Sequence, residues 1–149
     1  MDMDNIPLPA GMAGHLDHIG IAVTDLEAAV QLYGGLLGLE LERIEEVPRE
    51  KVRVAFMKLS RDGGPGHVEL LEPMDEDCNI ARFIAKKGPG LHHLAFYADD
   101  LDAALRNCRE AGLRLINETP LSGAGGKRIV FLHPKSTGSV LVEICSGGH

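Results

Sequence analysis

The sequence contains few aromatic residues and no excess of positive charge. Among its 149 residues are two tyrosines, four phenylalanines and no tryptophan, and the formal net charge is -7 at pH 7. Proteins that bind single-stranded nucleic acid stack bases on aromatic side chains, and proteins that coat nucleic acid carry many cations. The composition therefore excludes a general nucleic-acid-binding role, and any anionic ligand must meet a local group of basic residues.

The sequence has few cysteines, and it shows neither the pattern of a secretory signal nor a long apolar run. The three cysteines, Cys78, Cys108 and Cys145, are widely spaced, so neither a disulfide framework nor a cysteine zinc site is expected. Residues 1–15 lack the basic start and apolar centre of a secretory signal, and no apolar run approaches the ~18 residues of a membrane helix. We therefore expect a cytoplasmic protein with no membrane partner. The 44% hydrophobic and 25% charged residues that are present are typical of a globular domain.

The chain contains an internal repeat. The segment that begins at His18 resembles the segment that begins at His93, and the matched positions keep a nearly constant offset. Two copies are too few for a stacked solenoid, so the repeat predicts one domain formed by a duplicated module. The predicted boundaries are an N-terminal tail at 1–15 and a single domain at 16–149, with module one at about 16–72, a linker helix within 73–90 and module two at about 91–145.

Each module is predicted to have the element order β-α-β-β-β. An alternating apolar pattern that favours a strand opens each copy, and an apolar stripe at helical spacing follows it. Thr24 is the predicted N-cap of the first helix, and Asp99 or Asp100 that of the second. Gly38 and Gly112 stand where a glycine commonly ends a helix. The other strands are predicted at 39–45, 52–59 and 67–71 in the first copy and at 113–117, 129–133 and 140–145 in the second.

Histidine and glutamate occupy corresponding positions in the two copies. His18 and His93 lie in the first strand of each module, and Glu69 and Glu143 lie in the last. Each glutamate interrupts an apolar strand, where a carboxylate is unfavourable unless a cation compensates it. Two imidazoles and two carboxylates suit one divalent metal per chain, such as Co²⁺, Zn²⁺, Ni²⁺ or Mn²⁺. A lone strand histidine more often has a structural role, so it is the pairing across the repeat that favours a metal site.

Two further histidines lie next to this set. His92 directly precedes His93, and strict alternation of side chains turns it to the opposite face of the strand, so we expect it not to be a ligand. His67 shares a face with Glu69 and is the spare ligand candidate.

Longer motifs resemble one known superfamily. The paired modules and their His…Glu…His…Glu order resemble the vicinal-oxygen-chelate superfamily, which includes glyoxalase I, extradiol dioxygenases and antibiotic-resistance proteins. The resemblance is strongest to its methylmalonyl-CoA epimerases. It rests on the stretches LDHIGIAVTDLEAA, GLHHLAFYADDLDAA and GGKRIVFLHPKSTGSVLVEI, and it covers nearly all of residues 16–144. The resemblance implies an α+β fold, in which the curved sheets of two tandem βαβββ modules pair around one metal site.

The same resemblance implies a reaction and its site residues. The metal ligands fall on His18, Glu69, His93 and Glu143, and Glu143 is also the first candidate for a catalytic acid or base. The implied reaction interconverts (2R)- and (2S)-methylmalonyl-CoA. A proton leaves the carbon next to the thioester, and the metal stabilises the resulting enolate. Inversion at that carbon requires acid-base groups on both faces of the enolate.

The second acid-base group is left open by the sequence. Some family members carry a glutamate on the strand aligned here with 52–56, where this sequence has Val54. Glu45, Glu46 or Glu50 in the preceding loop, or a metal-bound water, could take that role instead. The acidic loop could equally be a solvated turn.

An acyl-CoA substrate requires cations near the site. Lys127, Arg128 and Lys135 flank the last strands and are the candidate partners of the CoA phosphates. The glycine-rich turn before Lys127 is either an anion-binding turn or a tight connector. Family members are commonly dimers, which implies a homodimer. Two other functions stay open, a glyoxalase-I-like lyase acting on a glutathione hemithioacetal and a metal-free binding or resistance protein of the same fold.

Overall fold

A computed structural model describes residues 14–148, and these residues form one eight-stranded sheet. The predicted tail at 1–15 lies outside the described residues except for its last two. The strands are β1 (His15–Ala22), β2 (Leu41–Val47), β3 (Val52–Lys58), β4 (His67–Pro73), β5 (Gly90–Tyr97), β6 (Leu121–Ser122), β7 (Lys127–Leu132) and β8 (Val142–Gly147).

The sheet contains the same strand order twice. Its order is β2-β3-β4-β1-β5-β8-β7-β6, so each half reads first, fourth, third and second strand outward from the middle. Within each half the first and fourth strands are parallel, as β1 is to β4 and β5 is to β8. The halves meet where β1 and β5 pair antiparallel. The α+β fold of two tandem modules is therefore confirmed, with the first strand of each repeat at the centre of the sheet.

The helices lie between the first and second strands of each module and in the linker. They are α1 (Leu26–Val30), α2 (Asn79–Lys87) and α3 (Leu101–Glu110), with a π-helix at Gln31–Leu36 and 3-10 turns at Ala124–Gly126 and Pro134–Ser136. Within residues 14–148, no helix has the length and apolar character needed to cross a membrane.

Aspartates cap the two module helices. The carboxylate of Asp25 accepts from the Ala28 amide at 3.1 Å, and that of Asp100 accepts from the Ala103 amide at 3.0 Å. The predicted cap Thr24 is therefore wrong by one residue. An N-cap side chain accepts from the amide two or three residues further along the chain, and here Asp25 accepts from Ala28, the third residue of the helix.

Glycines end both module helices, as predicted. Gly38 has φ of 83° and Gly112 has φ of 79°, a left-handed conformation that glycine adopts without a Cβ clash. The path to these glycines differs, because α3 is regular over its ten residues whereas α1 widens after Val30 into the π-helix.

The predicted strand at 113–117 is wrong. Only an isolated bridge between Leu115 and Leu132 forms there, and the edge strand is the short β6 instead. The side chain of Asn117 explains the difference. Its Oδ1 accepts from the Phe131 amide at 2.8 Å, and its Nδ2 donates to the Ile129 carbonyl at 3.2 Å. The side chain thus occupies positions on β7 that a neighbouring backbone would otherwise take.

The two faces of the sheet have different functions in the fold. On one face Ala55 of β3 packs with Leu26 of α1, and Ile144 of β8 packs with α3. On the other face Val54 of β3 packs with Ile80 of α2. Since side chains alternate along a strand, α1 and α3 cover one face and leave the opposite face to α2 and the predicted ligands.

The face that carries the predicted ligands curves until the two ends of the sheet touch. The Gly125 amide donates to Glu45 of β2 at 3.1 Å, and Arg49 Nε donates to the Ser122 carbonyl at 2.8 Å. These bonds join the β2–β3 hairpin of module one to the glycine-rich turn of module two. The curved face therefore encloses a cavity between the modules.

Candidate metal and acyl-CoA site

Strand register brings the four predicted ligands to the middle of the curved face. Gly20 of β1 pairs with Glu69 of β4 on one side and with His93 of β5 on the other. Ala95 of β5 likewise pairs with His18 and with Glu143 of β8. Each small residue is therefore flanked by one histidine and one glutamate. All four ligand candidates are buried.

Three of these residues form a tight donor cluster. The Nε2 atoms of His18 and His93 lie 3.0 Å apart. Glu143 Oε2 is 3.4 Å from His18 Nε2, and Glu143 Oε1 is 3.7 Å from His93 Nε2. Each of the three residues offers a ligand atom within 4.8 Å of the others. The ring nitrogens and the carboxylate therefore converge on one point.

Glu69 lies beside this cluster on the other side of the His18 ring. Its Oε2 is 3.1 Å from His18 Nδ1 and 3.9 Å from Lys127 Nζ. Among the described residues, this buried oxygen has no hydrogen-bond partner. The two imidazoles and the Glu143 carboxylate are a donor set that fits a divalent transition metal, and the orphaned oxygen of Glu69 is a further buried donor on the Nδ1 side of His18.

A missing side chain makes room for one of the histidines. The imidazole of His93 lies directly over Gly20, and a Cβ placed on Gly20 would overlap that ring. The corresponding residue in module two is Ala95, which is fully buried and does carry a Cβ. Gly20 is therefore required by the position of the His93 ring rather than by a turn.

The prediction that His92 faces away from the site is wrong. Gly20 pairs with His93 but Ile21 pairs with Leu91, so His92 is the extra residue of a β-bulge. The bulge turns His92 to the side of His93, and the two Nδ1 atoms lie 2.9 Å apart. Strict alternation fails here because a bulge resets the side-chain period.

A second bulge brings Asp17, which was not among the sequence-predicted site residues, next to His18. Leu16 pairs with Phe96 and His18 pairs with Ala95, so Asp17 is the extra residue in β1. Its Oδ2 lies 2.7 Å from His18 Nδ1 and accepts from Lys127 Nζ at 2.7 Å. The only sequence signal for this role is the position of Asp17 immediately before a ligand histidine.

The neighbours of the two histidines shift their pKa values in opposite directions. Burial disfavours the charged form of His18, but the carboxylates of Glu69, Asp17 and Glu143 overcome it and raise its pKa. Burial, together with the charge of His18, lowers the pKa of His93 well below the usual value. His93 is therefore a neutral imidazole, which is the form that binds metals.

The pKa values of the Glu143 and Asp17 carboxyl groups are also shifted in opposite directions. Burial raises the pKa of Glu143 to about 7, with His18 opposing the shift and Glu69 adding to it. Burial also opposes ionisation of Asp17, but the hydrogen bonds from His18 and Lys127 hold its pKa well below the usual range. Glu143 can thus gain or lose a proton near neutral pH, whereas Asp17 stays ionised.

A cavity of about 300 Å³ opens in front of the donor cluster, and Glu50 lines it together with His18, Glu69, His93 and Glu143. Glu50 lies in the turn between β2 and β3, and burial raises the pKa of its carboxyl group, with Arg49 opposing the shift.

The other acid-base candidates lie elsewhere. Val54 is fully buried in the apolar cluster beneath α2, Glu45 binds the Gly125 amide, and Glu46 is exposed. Of the three loop candidates, the structure brings only Glu50 into the lining of the cavity.

The predicted phosphate-binding residues do not lie together. Lys127 is buried in its ion pair with Asp17. Arg128 and Lys135 are exposed, and neither is among the described residues that line the cavity. Lys127 itself does line the cavity. It is joined there by Arg49 and Lys51 of the β2–β3 turn and by Arg82 of α2. These residues lie far from the last strands in sequence, so the local search for cations around Lys127 missed them.

His67, the spare ligand candidate, lies away from the donor cluster. Its Nε2 is 3.2 Å from Glu42 Oε2, and its ring packs edge-on against Phe56. It lines a second cavity, of about 380 Å³, rather than the one in front of the ligands.

Known proteins resemble this chain over most of its length. Residues 17–131 match the Glyoxalase/Bleomycin resistance protein/Dioxygenase superfamily. An ethylmalonyl-CoA/methylmalonyl-CoA epimerase from Cereibacter sphaeroides is 39% identical over 135 residues, which cover 89% of this chain and 98% of the relative.

Two solved structures resemble it in fold as well. A methylmalonyl-CoA epimerase from Mycobacterium tuberculosis has a TM-score of 0.86 and 38% identity, covering 96% of this chain and 94% of that one. A Streptomyces coelicolor methylmalonyl-CoA epimerase variant in complex with 2-nitronate-propionyl-CoA has a TM-score of 0.84 and 39% identity, covering 92% and 99%. This chain therefore belongs to the methylmalonyl-CoA epimerase family of isomerases, within the glyoxalase, bleomycin resistance protein and dioxygenase superfamily.

Proposed function

We propose that this enzyme interconverts the (2R) and (2S) epimers of methylmalonyl-CoA and that it depends on a divalent metal. One observation carries the proposal. Two carboxylates, Glu50 from module one and Glu143 from module two, line a cavity next to the paired Nε2 atoms of His18 and His93. Proton removal next to a thioester, followed by return to the other face, needs two such groups beside an electrophile.

The residues that would hold the metal are His18, His93, Glu143 and Glu69. Their burial and the orphaned oxygen of Glu69 support this assignment. When bound, a divalent metal would supply Lewis-acid stabilisation of negative charge on the thioester oxygen. We propose Co²⁺ as the metal, with Zn²⁺, Ni²⁺ and Mn²⁺ as the alternatives.

The proton transfers are assigned to the two cavity carboxylates. In the metal-free protein, burial raises the pKa of Glu143 to about 7, so its carboxylate is a stronger base than an ordinary glutamate, and we assign it the proton transfer on one face. Burial raises the pKa of Glu50 in the same direction. The strands β4, β1 and β5 separate β3 from β8 in the sheet, so we propose that the two groups address opposite faces of the substrate carbon.

Three basic side chains that line the cavity could bind the anionic groups of the substrate. Arg49, Lys51 and Arg82 are substantially exposed at the cavity, so we propose that they contact the substrate carboxylate or the CoA phosphates. Lys51 and Arg82 are paired with the exposed Asp77, which a more strongly anionic ligand can displace, whereas Arg49 is paired with Glu50 in the cavity lining.

The name of the Cereibacter sphaeroides relative includes ethylmalonyl-CoA, so we expect the same site to accept the substrate with one more methylene. The homodimer and the cytoplasmic location stay predictions.

Isotope exchange tests the function. The protein is loaded with Co²⁺ and incubated in D₂O with (2R)-methylmalonyl-CoA, and C2 is analysed by mass spectrometry and chiral separation. We expect deuterium at C2 and conversion to a mixture of epimers, and we expect both to stop in the chelator-treated protein. Retained configuration without deuterium would contradict the proposal. Turnover of a glutathione hemithioacetal in its place would favour a glyoxalase-I-like lyase.

A further inference from the structure

We propose that Asp17 and His92 are twin positioning residues, each of which orients the ligand histidine that follows it in the chain. The inference rests on the metal site of the proposed function, but the geometry that carries it is separate. Each residue stands in a β-bulge, faces its neighbour's Nδ1 atom, and leaves the neighbour's Nε2 atom directed into the cavity.

The bulges occur at equivalent positions of the two modules. The register between β1 and β5 slips once at Asp17 and once at His92, immediately before His18 and His93 respectively. Without a bulge, adjacent residues of a strand face opposite sides and could not contact each other's side chains. Each slip instead brings two consecutive side chains to the same face.

The hydrogen bonds are equivalent as well. His18 Nδ1 lies 2.7 Å from Asp17 Oδ2, and His93 Nδ1 lies 2.9 Å from His92 Nδ1. A carboxylate can only accept, so His18 must donate from Nδ1. We assign the same direction to His93, with His92 accepting through an unprotonated Nδ1. Both ligand histidines then present an Nε2 atom to the 3.0 Å contact at the cavity.

Each positioning residue is held by a different part of the fold. Asp17 is fixed by Lys127 of β7, so an ion pair between the modules supports the ligand of module one. His92 packs edge-on against Phe83 of α2, with ring centroids 4.8 Å apart. The linker helix thus supports the ligand of module two. Outer residues of this kind fix the tautomer and the ring orientation of a metal-binding histidine.

Metal affinity measures the proposed role directly. We expect Asp17→Ala and His92→Leu each to weaken Co²⁺ binding by ~10- to 100-fold in a chelator competition titration. We also expect the visible absorption spectrum of bound Co²⁺ to change, because a freed ring alters the coordination geometry. Asp17→Asn and His92→Gln keep an acceptor and should restore most of the affinity.

Controls separate positioning from folding. Asp62→Ala and His133→Gln make similar changes away from the site and should leave affinity and spectrum unchanged. Asp17→Ala/Lys127→Met removes both members of the buried ion pair, so it avoids a lone buried ammonium. This double variant should recover thermal stability but not metal affinity. Recovery of affinity, or wild-type affinity in Asp17→Ala and His92→Leu, would overturn the proposal.

Nuclear magnetic resonance tests the inference without any metal. In ¹⁵N-histidine-labelled, metal-free protein, we expect His93 to carry its proton on Nδ1, and we expect His92→Leu to abolish this preference. A proton on Nε2 of wild-type His93 would contradict the inference even if the protein binds metal normally. Failure of the wild type to bind Co²⁺, with His93 protonated on Nδ1, would contradict the proposed function and leave the positioning role supported.

Discussion

The two modules contribute the same pair of candidate ligands, one histidine and one glutamate each, but surround the histidines with different environments. In module one, His18 is placed among charges, with Asp17, Glu69 and the ammonium of Lys127 in contact with or close to its ring. In module two, the Nδ1 side of the His93 ring faces His92, and the ring lies over the backbone of Gly20, while its Nε2 atom faces His18 and Glu143. The repeat preserves the direction of each donor atom, whereas the surroundings raise the pKa of His18 and lower that of His93.

The surroundings of the two carboxylates, Glu143 and Glu69, differ as well, and under the proposed function they would have different roles. Glu143 lies in contact with both histidine Nε2 atoms and has its pKa raised to about 7, mainly by burial. Glu69 lies on the far side of His18, close to Lys127. A carboxylate that titrates near neutral pH is suited to proton transfer, and one beside an ammonium is suited to a fixed ligand. The following predictions test this division, beginning with the largest effect.

Glutamine substitutions of Glu143 and Glu69 should have different effects on kcat and so distinguish the roles of the two carboxylates. We expect Glu143→Gln to lower kcat by ~10²- to 10⁴-fold, since the amide cannot act as the acid-base group. Glu69→Gln should lower kcat only slightly at saturating Co²⁺, because an amide oxygen can still coordinate. Steady-state kinetics of both variants at several Co²⁺ concentrations checks this. Equal losses in kcat would show that the two residues have the same role.

Gly20 of module one and Ala95 of module two occupy equivalent positions, and we expect metal binding to depend on the residue at position 20 but not on the residue at position 95. Gly20→Ala places a Cβ inside the His93 ring, and we expect loss of tight Co²⁺ binding with ~1–3 kcal/mol of destabilisation from overpacking. Ala95→Gly is the matched change at the equivalent position. It should cost roughly 0.5–1 kcal/mol through backbone entropy and keep metal binding. Calorimetry gives both the affinity and the stability, and tight binding by Gly20→Ala would refute the packing argument.

The raised pKa of Glu143 predicts a pH dependence of the metal-free protein. The pKa is about 7 in the folded state and ~4.3 in the unfolded chain, so folding favours the protonated form. Its contribution is fully present below pH ~4.3 and is lost as pH rises through ~7, which amounts to a few kcal/mol.

We therefore expect the free energy of unfolding of wild type, relative to Glu143→Gln, to fall between pH 5 and pH 8. Urea denaturation at each pH measures it, with the exposed-site variant Glu46→Gln as control. A constant difference between the wild type and Glu143→Gln would mean that Glu143 is ionised throughout this range.

The smallest expected difference concerns the helix caps. Asp25→Ala and Asp100→Ala each remove a capping bond, which typically costs ~0.5–2 kcal/mol. We expect Asp100→Ala to be the more destabilising, because Glu72 Oε2 also accepts from the Leu26 amide at 2.7 Å and supports the first turn of α1. Thermal denaturation of both variants, with the Asp→Asn substitutions as controls, measures the difference. A larger loss in Asp25→Ala would contradict this interpretation of Glu72.

Sequence alone predicts the features that the repeat encodes twice. The βαβββ order and the positions of the two histidines and two glutamates follow from comparing the copies, because a duplicated pattern is unlikely to arise by chance. Helix ends at Gly38 and Gly112 are predictable for the same reason. The resemblance to a known family adds the reaction, which no pattern of strands can supply.

The remaining features depend on register and on contacts distant in sequence. The bulges at Asp17 and His92 turn these side chains to the opposite face of the sheet from the one that strict alternation predicts. No local sequence pattern indicates the bulges. The side chain of Asn117 takes hydrogen-bonding positions on β7 that a strand would otherwise fill, although the two residues before it, Leu115 and Ile116, are apolar. Glu50 enters the cavity because the β2–β3 turn is held against the glycine-rich turn by Arg49, and that contact exists only in the folded sheet.

The most direct test of the account is the behaviour of Glu50→Gln toward each epimer separately. If Glu50 and Glu143 act on opposite faces, this Co²⁺-loaded variant in D₂O retains one competent base. We predict that one epimer exchanges its C2 proton with retention of configuration, and that the other exchanges at least ~10²-fold more slowly. Epimerisation at the wild-type rate, or equal exchange of both epimers, would contradict the assignment of one carboxylate from each module to each face.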